Sequence, residues 1–155
     1  MKEVLYKLDA LCNSLKVEYA LTGTAALSLV GFPTSYRPQD IDILVTNSTE
    51  EQRNEFSKLQ FLASKDKPDY SNTICYSFNI EGVKVNTIIT TDSRDKLIEE
   101  SNMVSLLSKY GLFSIRVQKV DKALEAKVKL GRVKDKEFIW DSVNTLLAIG
   151  YKQWR

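Results

Sequence analysis

Apolar positions recur at helical spacing at the start of the chain. Val4, Leu5, Leu8, Leu11, Cys12 and Leu15 predict an amphipathic helix over residues 3–15 with one buried stripe. Val17, Tyr19 and Leu21 then alternate with Glu18 and Ala20, so residues 17–22 read as a short strand, broken by Gly23-Thr24. Residues 25–30 form a short apolar helix closed by Gly31-Phe32-Pro33, and residues 33–39 form a loop. The β-branched run at 41–45 is a second strand. Ser48, three positions before Glu51, opens a helix that carries Phe56, Leu59 and Leu62 inward. Residues 64–72 are polar and contain Pro68, as a loop would be. Residues 74–80 and 83–89 predict a hairpin turning at Glu81-Gly82. A helix is expected over 92–107, a strand over 113–117, and helices over 119–130 and 134–149, with Gly131 between the last two.

The order α-β-α-β-α-β-β-α-β-α-α predicts an α/β (α+β) fold. It would have a mixed central β-sheet of about five strands flanked by helices, with further helices at the C-terminus. A length of 155 residues fits one domain, with a core over about 15–118 and a C-terminal helical part over about 119–150. No stretch approaches the ~18–20 apolar residues of a membrane span, so no membrane partner is expected. The first residues lack the apolar run of a signal peptide. Only Cys12 and Cys75 are present, and each reads as a buried small side chain. A reduced, cytoplasmic setting is therefore expected. Trp140 falls on a stripe with Phe138, Ile139, Val143 and Leu147 and is expected in the core. Trp154 is expected to be exposed or in an interface. Tyr36 and Tyr76 could stack on a base, although packing is the commoner role of such tyrosines.

Charge narrows the chemistry. The 22 basic and 20 acidic residues nearly cancel, but there is no histidine. Histidine-dependent triads and metal sites are therefore excluded. A general base must be a carboxylate, Lys, Tyr or Cys, and a metal site must use oxygen ligands, which favours Mg²⁺, Mn²⁺ or Ca²⁺. The balance is also uneven. Residues 40–100 carry twelve acidic and seven basic side chains, whereas residues 116–136 carry eight basic and three acidic ones. That basic stretch is either a solvated helix face or a surface for phosphate or nucleic acid.

The segment from Leu21 to Val45 concentrates the candidate chemistry. A strand ends at Thr22, Gly23 allows a tight turn, and a helix follows whose first N–H groups can bind an anion. The hydroxyls of Thr22 and Thr24 can add donors. The next strand opens with Asp40 and Asp42. Their side chains share a face, about 6–7 Å apart at Cα given the strand rise. Two carboxylates so placed repel unless they share a cation, and a hard divalent ion such as Mg²⁺ satisfies both. An anion cradle beside a carboxylate pair suits a metal-bound nucleoside triphosphate. Arg37 lies near the carboxylates and could meet a phosphate or pair with Asp40.

Gly23-Thr24 followed by Asp40-Ile41-Asp42 resembles the motif of the nucleotidyltransferase fold, in the polymerase-beta-like superfamily. The resemblance is to the small prokaryotic branch related to abortive-infection toxin-type nucleotidyltransferases. Lys127, Arg132, Lys134 and Asp135 resemble the C-terminal element of that branch, so the likeness spans roughly residues 15–148. It implies that Gly23 and Thr24 hold the triphosphate and that Asp40 and Asp42 coordinate Mg²⁺ or Mn²⁺. Lys127, on the basic helix, could reach a γ-phosphate, although a plain surface lysine is the commoner role. The resemblance further implies a third carboxylate on a later strand, and transfer of a nucleoside monophosphate to RNA, a protein or a small molecule. A toxin of this type would have an antitoxin as partner.

One position departs from that pattern. The third carboxylate would fall at Asn86, a neutral residue that can ligate a metal weakly but cannot act as a base. The expected catalytic set is thus Asp40, Asp42 and Asn86. The chain could be a one-metal enzyme, a nucleotide or partner binder without turnover, or an enzyme whose Asp has been replaced by Asn. In an alternative alignment Glu81 or Asp92 supplies the acid. A purely structural role for Asp40-Ile41-Asp42 is the remaining reading.

Overall fold

A computed structural model of the chain describes residues 1–33, 37–46, 49–57, 62–64, 74–90 and 92–153. Its elements are α1 (Lys2–Ser14), β1 (Tyr19–Thr22), α2 (Gly23–Leu29), β2 (Ile41–Thr46), α3 (Glu50–Ser57), β3 (Leu62–Ser64), β4 (Ile74–Ile80), β5 (Val83–Thr90), α4 (Arg94–Glu99), β6 (Ser101–Ser108), β7 (Gly111–Gln118), α5 (Val120–Leu130) and α6 (Val133–Gln153). The strands form a mixed sheet in the order β3-β4-β5-β2-β1-β7-β6. β2 runs parallel to β5 and β1 parallel to β7, while β1 and β2 are antiparallel.

The sheet is wider than the sequence pattern indicated, and the two additional strands have identifiable origins. The helix expected over 92–107 stops at Glu99. Ser101–Ser108 instead pairs with β7 through a tight turn at Lys109-Tyr110. Leu97 gives residues 94–99 a buried helical anchor. After that, Leu106 and Ser108 are buried while Ser105 and Leu107 are exposed, a strand alternation that the mixed apolar run concealed. β3 begins at Leu62, where a helix was expected to continue. Leu59 and most of the 64–72 loop lie outside the described residues. The capping box also sits one residue later than expected. Thr49 Oγ1 accepts from the Gln52 amide at 3.1 Å, and Gln52 Oε1 accepts from the Thr49 amide at 2.8 Å. The β4–β5 hairpin forms as expected, with positive φ at Glu81 (51°) and Gly82 (82°), as a tight two-residue turn requires.

One face of the sheet packs against α1. Leu5, Leu8 and Cys12 meet Tyr19, Leu21, Ile41, Ile43, Val45, Val85 and Ile115 in a continuous core. The Cys12 thiol is buried there, and burial pushes its pKa up to about 12, so it packs as an inert small side chain. Cys75, Tyr36 and Trp154 fall outside the residues whose side chains are described. A smaller apolar cluster joins α2, α5 and α6 through Leu27, Ala123 and Phe138. α6 uses only a narrow stripe for this contact. Phe138 and Ser142 are buried, but Trp140 is 69% exposed and Val143 and Leu147 also face outward. The expectation that Trp140 lies in the core is therefore corrected. The stripe that packs against α5 runs through Asp135, Phe138 and Ser142, at i, i+3 and i+7, leaving Trp140 on the opposite side.

Candidate functional site

The site begins with the strand register. On the face opposite α1, Thr22 of β1 stands beside Asp42 of β2, Asp42 beside Asn86 of β5, and Asn86 beside Ser77 of β4. Side chains at matched positions of neighbouring strands project together. The result is a polar row across the sheet, extended onto β7 by a hydrogen bond from Thr22 Oγ1 to Gln118 Oε1. Ser77 Oγ donates to Asn86 Oδ1 at 2.7 Å, and Asn86 Nδ2 donates to Asp42 Oδ1 at 2.8 Å.

Gly23 follows Thr22 with φ at +68°, a left-handed conformation that a side chain strains. It is also crowded: a Cβ there would lie 2.8 Å from Asp42 Oδ2. Glycine thus brings the backbone turn directly onto the second Asp42 oxygen. The chain then enters α2 with Thr24 in its first turn.

The C-terminal helices close the other side. Lys127 of α5 is only 8% exposed, and its Nζ donates to Thr24 Oγ1 at 2.9 Å. The same ammonium lies 3.8 Å from Asp135 Oδ1 and 4.4 Å from the centre of the Phe138 ring. Burial pushes its pKa below the ordinary lysine range, against the opposing pull of Asp135 and Asp42 and in concert with Arg132 and Lys134. Asp135 is 1% exposed and is gripped by Arg132 through Nε at 2.7 Å and Nη2 at 3.2 Å. Burial raises its pKa, but the Arg132 hydrogen bonds and charge outweigh that and hold it below the usual carboxylate range. Gly131, left-handed at φ +60°, ends α5 and turns the chain so that Arg132 and Asp135 fall beside Lys127.

Between these elements lies a cavity of about 280 Å³. It is lined by Thr24, Arg37, Pro38, Gln39, Asp40, Asp42, Lys127, Arg132, Lys134, Asp135 and Phe138. The lining thus combines three carboxylates, one of them paired with Arg132 and Lys127, with four cationic side chains. A polyanion carrying a divalent cation matches both kinds of group.

The chain is similar in structure to a protein from Thermotoga maritima described provisionally as a nucleotidyltransferase. They share 23% identity and a TM-score of 0.58, over 92% of this chain and 94% of that one. The chain has a nucleotidyltransferase fold. An antigenic nucleotidyltransferase-like protein from Paracoccidioides brasiliensis also matches, with 16% identity and a TM-score of 0.49, over 95% of this chain and 75% of that one. No family model and no curated protein matches the chain.

On this nucleotidyltransferase fold, residues singled out in the sequence converge from distant segments. Thr24, Arg37, Asp40, Asp42 and Lys127 line one cavity; Gly23 and Asn86 stand behind Asp42. Thr22 does not join them as an anion donor, because its hydroxyl is directed to Gln118. Asn86, rather than Glu81 or Asp92, is the residue beside Asp42. Glu81 pairs with Lys7, and Asp92 lies 3.4 Å from Lys96. Two participants had escaped notice. Ser77 and Gln118 lie on strands whose polar positions look unremarkable until the register aligns them with Asp42.

The donor set fits a divalent metal held by Asp40 and Asp42. Both side chains offer carboxylate oxygens to the cavity, the ligand type a hard cation takes, and Gly23 brings no side chain against Asp42 Oδ2. Among the described residues no group of three or more acidic, Cys or His side chains could complete a larger cluster. No helix of the described residues is long and apolar enough to cross a membrane.

Proposed function

We propose that this protein is a Mg²⁺- or Mn²⁺-dependent nucleotidyltransferase that moves a nucleoside monophosphate from a nucleoside triphosphate to a hydroxyl acceptor. The observation that carries the reading is a cavity whose lining includes Asp40 and Asp42 together with Thr24, Arg37, Lys127, Arg132 and Lys134. In the transfer, the bond between the α-phosphorus and the oxygen bridging to the β-phosphorus breaks, pyrophosphate leaves with that oxygen, a phosphoester forms to the acceptor oxygen, and the acceptor's hydroxyl proton passes to water. A bound divalent cation supplies charge neutralisation at the phosphates.

The chain's own residues do the rest. Asp40 and Asp42 hold the cation. Thr24 accepts a hydrogen bond from Lys127 and keeps its own proton for a phosphate oxygen. Lys127 is a buried cation close enough to the turn to oppose the charge building on the leaving pyrophosphate. Arg37, Arg132 and Lys134 add positive charge on the same walls. Asp135 fixes Arg132 by its paired hydrogen bonds.

The basic character of residues 116–136 supports RNA as the acceptor over a neutral small molecule. The resemblance to abortive-infection enzymes supports a cytoplasmic toxin restrained by an antitoxin partner. A second reading is a nucleotide-binding protein of the same fold without turnover. It is favoured by the neutral Asn86 where that fold would carry an acid. Incubation with each α-labelled nucleoside triphosphate, Mg²⁺, and bulk RNA or cell protein separates the two. Transfer that Asp42→Ala abolishes supports the enzyme; nucleotide binding without transfer supports the second reading.

A further inference from the structure

The three-strand relay Ser77–Asn86–Asp42 has a fixed polarity. An ionised carboxylate only accepts hydrogen bonds, so the Asn86 atom 2.8 Å from Asp42 Oδ1 must be the amide nitrogen. With the nitrogen committed to Asp42, the amide oxygen is left to accept from the Ser77 hydroxyl at 2.7 Å, a hydroxyl able to donate as required. Ser77 is itself buried. Turning the amide over would set its carbonyl against the carboxylate and discard a charge-assisted hydrogen bond. The strand register enforces the arrangement, since all three residues are direct cross-strand partners.

We infer that Asn86 is a positioning residue that holds Asp42 by donating to it, and that this donor role limits the site to one divalent cation. The inference rests on the nucleotidyltransferase reading. Two features support it. The only Asn86 atom able to ligate a hard cation, its carbonyl oxygen, points toward β4 and away from Asp42. Asp42 is also confined on both sides: Oδ1 is anchored by Asn86, and Oδ2 lies so close to Gly23 that a Cβ there would fall 2.8 Å from it. The cation that Asp40 and Asp42 share with the triphosphate therefore has an oriented ligand, while a second cation would find an N–H donor where it needs an oxygen. Hydrogen bonds of this outer kind sustain metal affinity, and their loss typically costs about 10- to 100-fold.

The test counts Mn²⁺ ions by electron paramagnetic resonance. Full-length protein is saturated with a nucleoside triphosphate analogue whose α,β-bridging oxygen is replaced by a methylene. The expected result is one Mn²⁺ per protein–nucleotide complex for the wild type and two for Asn86→Asp. Asn86→Ala is expected to keep the count at one and weaken Mn²⁺ affinity about 10-fold or more. Two ions in the wild type, or one in a folded Asn86→Asp protein, would overturn the inference and leave the nucleotidyltransferase reading intact. If Asn86→Asp fails to fold, Asn86→Ala decides: unchanged Mn²⁺ affinity overturns the positioning role. Absence of any Mn²⁺-dependent nucleotide binding in the wild type overturns the underlying reading and the inference with it.

Discussion

Lys127 donates a hydrogen bond to Thr24 across 103 positions of sequence, with 2.9 Å between Nζ and Oγ1. This contact joins the turn after β1 to the C-terminal helices and sets a buried positive charge at the mouth of the carboxylate-lined cavity. A surface lysine would serve neither purpose.

Removing that charge separates binding from folding. Lys127→Met keeps most of the apolar stem over Phe138 and deletes the ammonium. Nucleoside triphosphate affinity is expected to fall by about 10-fold or more, as for loss of one hydrogen bond to a charged group worth ~1.5–3 kcal/mol. Calorimetric titration of the variant checks this, and an unchanged Kd would remove Lys127 from the phosphate site.

The lysine also sets a pH dependence with a definite sign. Its folded-state pKa lies below the ordinary lysine value of 10.5, first because burial disfavours the cation. Between the folded and unfolded values the unfolded chain binds more protons, so the Lys127 contribution to stability rises with pH in that window. Nucleotide affinity should move the other way, falling as Lys127 loses its charge at lower pH than a free lysine does. Parallel melts and titrations up to pH 10.5 would show this divergence, and Lys127→Met should lose both components.

Much of this site was legible in the sequence, and what was hidden is informative. The turn at Gly23-Thr24 and the strand carrying Asp42 were readable because a glycine after a strand and a β-branched run have local physical meaning. The β4–β5 hairpin was readable for the same reason. But β2 begins at Ile41 and leaves Asp40 in the bend before it, so strand alternation does not place that carboxylate. Ser77 and Gln118 were not, because their roles come from cross-strand register, which no local pattern specifies. β6 was concealed because a six-residue helix runs almost directly into an uncharged strand, so the apolar spacing mixes two periods. Trp140 misled because an apolar helix face does not reveal which of its stripes meets a neighbour.

Asp135 should carry an acid-sensitive share of the stability. Its folded pKa is depressed: burial opposes the charge, but the hydrogen bonds and charge of Arg132 prevail. That contribution is therefore fully present above the unfolded carboxylate range and is lost as pH falls through the lower folded value. Asp135→Asn is expected to lose about 3–5 kcal/mol at neutral pH, since it removes the buried carboxylate that lies 3.8 Å from buried Lys127 and accepts two hydrogen bonds from the Arg132 side chain. Denaturant unfolding at pH 7 and pH 3 should show the gap to wild type narrowing in acid.

Gly23→Ala combines a steric and a conformational penalty. Its Cβ would fall 2.8 Å from Asp42 Oδ2 at a positive φ of 68°. We expect about 1–2 kcal/mol of destabilisation from the backbone alone, together with displacement of the Asp42 carboxylate. Thermal melts measure the first effect and Mn²⁺ titration the second; a variant with wild-type values in both would show that the close approach is unimportant.

Thr87 offers a gain instead. It is fully buried in β5, and among the described residues its hydroxyl has no hydrogen-bond partner. Thr87→Val keeps the shape and removes the unsatisfied group, so stability should rise by about 1 kcal/mol. For a chain of this size that corresponds to a Tm increase of about 2–4 °C. A lower Tm would mean that the hydroxyl has a partner after all.

The central claim is that Asp42 and the residues facing it hold a metal-bound nucleoside triphosphate. Isothermal titration of the wild type and Asp42→Ala with ATP, CTP, GTP and UTP, each with and without Mg²⁺, tests it most directly. Mg²⁺-dependent binding of at least one nucleotide is expected for the wild type, weakened about 10-fold or more in a folded Asp42→Ala protein. Absence of binding for all four nucleotides, or binding indifferent to both Mg²⁺ and Asp42, would contradict it.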